Sequence, residues 1–246
     1  MPWNGEMVMN KNNIHSILEN YINDLNYALR EPILQREIGD FPIDEMKAFF
    51  LLLPVVNERM QDDRIKGITL SLGAIHAALD IHDLIDIDKA VSAQQQLTVL
   101  AGDHFSGIHY RVLAENGEFV FIRELSRTIA HINEQKTTLH QVKSESAAGL
   151  IAKLKVIECG CISTFYSEFG FEGYLNLTET ALTYLRLKKM LNASKPQFTN
   201  VEPSTLKKAL EMIEADLTKE LQLMNFLNSE LQQIIHELVN PLKSLS

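Results

Sequence analysis

The run IHAALDIHDLID at positions 75–86 concentrates side chains able to do chemistry. His76, Asp80 and Asp83 stand at i, i+4 and i+7, so a helix places them in one stripe, and Asp83 and Asp86 are one turn apart. Such a face can hold a divalent ion. It can equally be a hydrogen-bonded polar seam on an acidic protein, and spacing alone favours the seam. Cys159 and Cys161 form an isolated C-G-C whose members face different sides of a helix, which implies neither a disulfide nor a zinc site. The chain has no G-x-S-x-G, P-loop, G-x-G-x-x-G or H-E-x-x-H motif, so nucleophilic, nucleotide-dependent and zinc-hydrolase chemistries have no support.

The elements that must position the 75–86 cluster read as helices throughout. Ile14, Ile17, Leu18, Tyr21, Ile22, Leu25, Ala28 and Leu29 recur every three or four positions, with Asn12 or Asn13 available as a cap. A second helix is expected from Pro42 to Met60, with Pro54 kinking or breaking it. A third runs from Ile65 to about Asp86 and carries the cluster. A loop through Gln94, Gln95 and Gln96 leads to a helix over Leu97–Leu113, Asn116-Gly117 stops it, and Glu118 to about Gln141 follows; so short a turn predicts an antiparallel hairpin. Further helices are expected at about 145–169, 174–192, 203–226 and 228–239, with KPQFTNVEP as a loop. The C-terminal segment keeps helical spacing at Leu206, Leu210, Ile213, Leu217, Leu221 and Met224, but has too few heptads for a coiled coil. The reading is all-α, one helical domain over 1–246 with residues 1–12 flexible.

A chain of 246 residues, 46% apolar and 22% charged, can bury an ordinary core. Its net charge of −9 and lack of a basic stripe speak against nucleic acid or anionic lipid as partners. The opening MPWNGEMVMNKNN lacks the basic start and apolar run of a signal peptide, and the greasiest run, AFFLLLPVV at 48–56, is too short to span a bilayer. A cytoplasmic location with no transmembrane segment is expected.

Two further runs, QLTVLAGDHFSG at 96–107 and LSRTIAHINE at 125–134, join the first in a pattern that resembles the all-trans polyprenyl diphosphate synthases. The resemblance covers about residues 70–135, and the block Leu100, Ala101, Gly102, Asp103 is its most specific part. It implies an isoprenoid-synthase-like helical bundle. In that family a DDxxD motif bridges Mg²⁺ to an allylic diphosphate, because Mg²⁺ takes hard oxygen ligands. Aligning on His82 places Asp83 at the first position, but Leu84 and Ile87 at the second and last. The family's second Asp-rich motif is absent, since Asp216 is the only aspartate after Asp103. Its Arg pair and Gly-Gly-Lys segment are missing too, and Lys89 is the only cation between Leu84 and Tyr110. A diphosphate leaving group would find little here to stabilise it.

This set of losses is similar to that of the small, non-catalytic subunit 1 family of bacterial heptaprenyl diphosphate synthases. The resemblance implies no catalytic residue, no cofactor and no metal held by this chain, with His76, Asp80, His82, Asp83 and Asp86 a vestigial motif. It implies a heterodimer in which a catalytic subunit, holding Mg²⁺, extends farnesyl diphosphate with isopentenyl diphosphate to the C35 precursor of menaquinone. The 97–135 hairpin resembles the helices through which such synthases pair, so Leu97, Leu100, Phe105, Ile108, Tyr110, Phe121, Leu125 and Ile129 are interface candidates, or else intramolecular core. Two alternatives stay open: an independently active Mg²⁺-dependent prenyltransferase or terpene synthase using His76, Asp80, Asp83 and Asp86, and a helical scaffold for an unrelated partner.

Overall fold

The computed structural model of the protein describes residues 11–39, 41, 43–85, 92–141, 144–193 and 201–239. The expectation of flexibility for residues 1–12 falls almost wholly outside them, as do Pro42 and Asp86. The described residues form ten α-helices and no strand: α1 Lys11–Leu29, α2 Pro32–Ile38, α3 Glu45–Asn57, α4 Asp63–His82, α5 Ala93–Glu115, α6 Phe119–Gln141, α7 Ala147–Phe169, α8 Leu175–Asn192, α9 Pro203–Leu223 and α10 Ser229–Leu238. No helix among them is long and apolar enough to cross a membrane.

Side-chain caps fix most of the helix starts. Asp44 accepts from the amides of Met46 and Lys47, Asp62 from Arg64 and Ile65, Ser92 from Gln95, Ser146 from Gly149 and Asn228 from Leu231. Each cap satisfies amides that have no partner within their own helix. Three expectations change as a result. The Ser92 cap opens α5 four residues early, so Gln94, Gln95 and Gln96 are helix and not loop. Asn12 and Asn13 lie inside α1 and do not precede it. The helix α2 was not foreseen, although Glu31 caps it by accepting from Leu34 and Pro32 stands in its first turn.

Pro54 does not break α3, since the helix runs on to Asn57. A proline nitrogen cannot donate to the carbonyl four residues back, which here is Phe50. The hydroxyl of Tyr166, on α7, donates to that carbonyl oxygen instead.

The helices pack largely as antiparallel sequence neighbours. α4 lies along α5, with Gly67 facing Asn116, the Ser71 carbonyl 3.0 Å from His109 Nδ1, and His82 against Gly102. α6 lies along α7, where the Thr128 and Thr164 hydroxyls meet at 2.8 Å, and α8 fills the groove between α7 and α9. The predicted close hairpin of α5 and α6 is looser than expected. The two are antiparallel and Tyr110 reaches Ser126 at 3.4 Å, but each packs more extensively on α4 or α7. The C-terminal segment joins the bundle, with Leu206, Ala209, Ile213 and Leu217 buried. Every helix contributes to one continuous apolar core.

Candidate functional site, a charge-paired cavity

A cavity of about 610 Å³ opens between α3, α4, α6, α7 and α8. Its walls are apolar at Ile43, Met46, Ala77, Leu79, Ile157, Leu182 and Leu185. Its charged lining balances, with Asp44, Asp80, Asp83 and Glu158 against Lys47, Lys136, Arg186 and Lys189.

The pairing is specific. Lys47 Nζ sits 2.8 Å from Asp80 Oδ1 and 3.4 Å from Glu158 Oε2, and Arg186 Nε lies 3.1 Å from the other oxygen of Glu158. Lys136 Nζ, from α6, contacts both oxygens of Asp83 at 2.8 and 2.9 Å. The side chains of Lys47 and Glu158 are only 11% and 9% exposed. A charge so far from water must be paired and hydrogen-bonded. Burial alone would push the Asp80 carboxyl up, but the Lys47 ammonium and its hydrogen bond hold it below the ordinary carboxylate range. Burial likewise opposes the Lys47 charge, yet Glu158 and Asp80 keep this amine protonated beyond the usual lysine range. His76, one turn before Asp80, is pushed down to about 4 by burial and by Lys47, so it lines the cavity as a neutral imidazole.

The predicted cluster therefore divides. His76, Asp80 and Asp83 come together at the cavity. His82 turns away and packs over Gly102, where an added Cβ would lie 1.9 Å from its Nε2. The absent side chain at Gly102 is what lets α5 meet α4 there. Ala101 is buried, Leu100 is exposed, and Asp103 is exposed at 4.0 Å from His82 and outside the cavity lining.

Of the interface candidates, Phe105, Ile108, Phe121 and Leu125 are buried in the chain's own core, Phe105 edge-on to Phe41 and Phe121 edge-on to Phe169. Leu97 and Ile129 are half-buried against that core. Leu100 and Tyr110 remain exposed, at 56% and 39%. The residues that sequence reading missed are Lys47, Lys136, Glu158 and Arg186. One signal was available for the first: a lysine opening the apolar run at 48–56 has to be buried with its helix and so needs an acidic partner. Both cysteines are buried and outside any disulfide, and burial pushes the Cys161 thiol up to about 12.

The resemblance to polyprenyl diphosphate synthases implies Mg²⁺ chemistry, which needs several oxygens closing on one point at about 2.0–2.1 Å. Here the oxygens of Asp80 and Asp83 are directed at two different ammonium groups. The described residues contain no group of three or more His, Cys, Asp or Glu side chains arranged to hold a metal. As they stand, these donors do not fit the ion.

The profile of a family described as heptaprenyl diphosphate synthase (HEPPP synthase) subunit 1 matches residues 32–240. The chain belongs to that family. A curated relative, heptaprenyl diphosphate synthase component 1 of Geobacillus stearothermophilus, is 31% identical over 122 residues, which are 50% of this chain and 54% of the relative. The match thus spans about half of either protein. Among solved structures, an isoprenoid synthase family member from Thermotoga neapolitana superposes with a TM-score of 0.66 at 14% identity, covering 92% of this chain and 98% of that one. A geranylgeranyl pyrophosphate synthetase from Geoglobus acetivorans gives 0.62 at 10%, covering 94% and 99%. A deletion mutant of the mint heterotetrameric geranyl pyrophosphate synthase gives 0.58 at 14%, covering 92% and 98%. The subunit 1 chain therefore has the isoprenoid-synthase fold.

Proposed function

We propose that this subunit 1 chain is the non-catalytic member of a heterodimeric trans-prenyltransferase of the cytoplasm. Its partner carries both Asp-rich motifs and the Mg²⁺ ions, and condenses isopentenyl diphosphate with farnesyl diphosphate to the C35 precursor of the menaquinone side chain. The observation that carries this reading is that Asp80 and Asp83 each lie against a lysine, and that the described residues hold no set of carboxylates arranged to bridge metal to a diphosphate. Family membership and the name of the Geobacillus relative, a component, speak for a second chain. The apolar cavity walls support a role in lining part of the space for the growing hydrocarbon. The outer side of α5, with Val99, Leu100 and Tyr110 exposed, is the surface we assign to the partner.

Prenyl transfer assayed with the purified chain, with a catalytic homologue and with both together tests the reading. Long-chain product is expected only from the pair, which should co-elute on sizing. Product from this chain alone, or a pair that does not associate, would sink it.

A further inference from the structure

The exposed side of α5 has a spacing of its own. Gln96, Leu100, Asp103, Gly107, Tyr110 and Ala114 all face solvent, at alternating steps of four and three residues. That is the repeat with which one helix presents a straight seam to another, and it runs here for about 27 Å. The stripe is symmetric about position 105, so a second α5 laid antiparallel on it meets Leu100 with Tyr110, and Asp103 with Gly107. A Cβ built on Gly107 has nothing within 4 Å, which leaves room for a second helix to come close. Long side chains on a helix lean toward its N-terminus, so the exposed Arg111 of a second copy covers its own Gly107 and lies opposite Asp103. Both charges are available for this. Asp103 has His82 at 4.0 Å, and Arg111 forms no ion pair with a described residue.

We propose that the outer side of α5 is self-complementary and that this chain pairs through it with a second copy of itself, α5 against antiparallel α5, about a two-fold axis at position 105. Every contact then occurs twice, as an isologous interface requires: two Leu100–Tyr110 pairs and two Asp103–Arg111 ion pairs. Charge chooses the direction. Parallel α5 helices would set Asp103 on Asp103 and Arg111 on Arg111, a like-charge juxtaposition that the antiparallel pair turns into attraction. A single helix seam of this length buries roughly 1,000 Å² in total, the low end for specific interfaces, and the net charge of −9 on each copy opposes close approach. Pairing is therefore expected with a Kd on the order of 10–100 μM, which leaves the chain a monomer in dilute solution. This is the face assigned above to a catalytic partner, so the two assemblies exclude each other, yet self-pairing stands or falls without that assignment.

Sedimentation equilibrium of the full chain, from about 2 to 500 μM, is the test, with far-ultraviolet circular dichroism confirming that each variant is folded. The unmodified chain is expected to pass from monomer to dimer over that range. Arg111→Asp and Asp103→Arg each set like charges against one another across the axis, and each should raise Kd by about tenfold or more. The double variant Asp103→Arg/Arg111→Asp restores opposite charges and should return Kd to within about threefold of the unmodified value, which a merely disturbed surface would not do. Gly107→Gln should keep the helix and weaken pairing by about tenfold, because its side chain holds the second helix off. A chain still monomeric at the highest concentration overturns the proposal, as does a dimer indifferent to Arg111→Asp or one that the double variant fails to recover. A chain that stays monomeric alone but associates with a catalytic homologue would refute self-pairing and leave the heterodimer standing.

Discussion

At one end of the bundle, α3, α7 and α8 meet around rings; at the other, the same three helices meet around charges. The C-terminal turns of α7 and the residues after it bring Phe165 within 5.2 Å of Phe169 and 5.5 Å of Phe171, between ring centroids. Tyr174 stacks edge-on to Phe226 at 5.2 Å, takes a hydrogen bond from Asn57 at 2.9 Å and gives one to Glu58 at 3.0 Å. Asn57 Oδ1 in turn accepts from the amide of Asn228 at 2.9 Å, tying the start of α10 to the end of α3. Phe165, Phe171 and Tyr174 are all buried there. At the far end, Lys47, Glu158 and Arg186 come from those same helices and leave a cavity standing. Dispersion and apolar burial close the aromatic end, whereas the cavity end depends on each charge keeping its partner. A bundle can thus carry buried charges beside an open cavity and keep its shape, provided that no buried charge is left alone.

Acid should separate the two ends most strongly. His76 at the cavity, and His109 on the α4–α5 seam, are both pushed down to about 4 by burial, from 6.5. The folded state therefore binds fewer protons than the unfolded one between those values, and stability falls as pH drops through that window. The slope is about 1.4 kcal/mol per pH unit for each histidine, or roughly 3 kcal/mol each across the window. Asp80, whose pKa is lowered, loses its share only below the ordinary carboxylate range, so it does not blur the interval. Urea unfolding at pH 7.5 and 4.5 measures the loss; equal stability at the two would show that neither imidazole is held neutral by the fold.

Tyr166→Phe probes the aromatic end with a single atom. The ring stays, but the Phe50 carbonyl loses its donor and Pro54 has no N–H to offer. The expected cost is about 1–3 kcal/mol, that of a buried polar group left unsatisfied. Adding Pro54→Ala restores a helical N–H and should return part of it in denaturant midpoints. A double variant no more stable than Tyr166→Phe would mean that the hydroxyl acts elsewhere.

How much of this was legible in the sequence depends on the range over which each feature is decided. Helix periodicity and caps are local, so α1, α4, α6 and α7 could be read to within a few residues. The seven-residue α2 is too short to show a period, and Glu31-Pro32 was its only signal. The fate of Pro54 hung on Tyr166, more than a hundred positions away. At the cavity the stripe of His76, Asp80 and Asp83 was visible as i, i+4 and i+7. Whether it would face metal, water or lysine was set by Lys47 and Lys136, whose pairings span 33 and 53 positions. Spacing within one helix carries no information about such partners. On the 97–135 segment, periodicity marked Phe105, Phe121 and Leu125 as apolar but could not say against what they pack.

That last ambiguity yields the smallest expected change in stability and the sharpest control on the comparison. Phe121 is 2% exposed and edge-on to Phe169, so it belongs to the aromatic end, whereas Leu100 is 56% exposed and belongs to neither end. Phe121→Asp buries an unpaired charge and should abolish the helical circular dichroism signal at moderate temperature. Leu100→Asp should leave the unfolding midpoint within about 0.5 kcal/mol of the unaltered chain, because a surface substitution removes little packing. If the outer side of α5 meets a catalytic partner, the same Leu100→Asp should weaken association by tenfold or more on titration, since a buried interface tolerates a lone carboxylate no better than a core does. A folded Leu100→Asp that pairs with undiminished affinity would move the partner surface off α5, while the assignment of Phe121 to the core would stand.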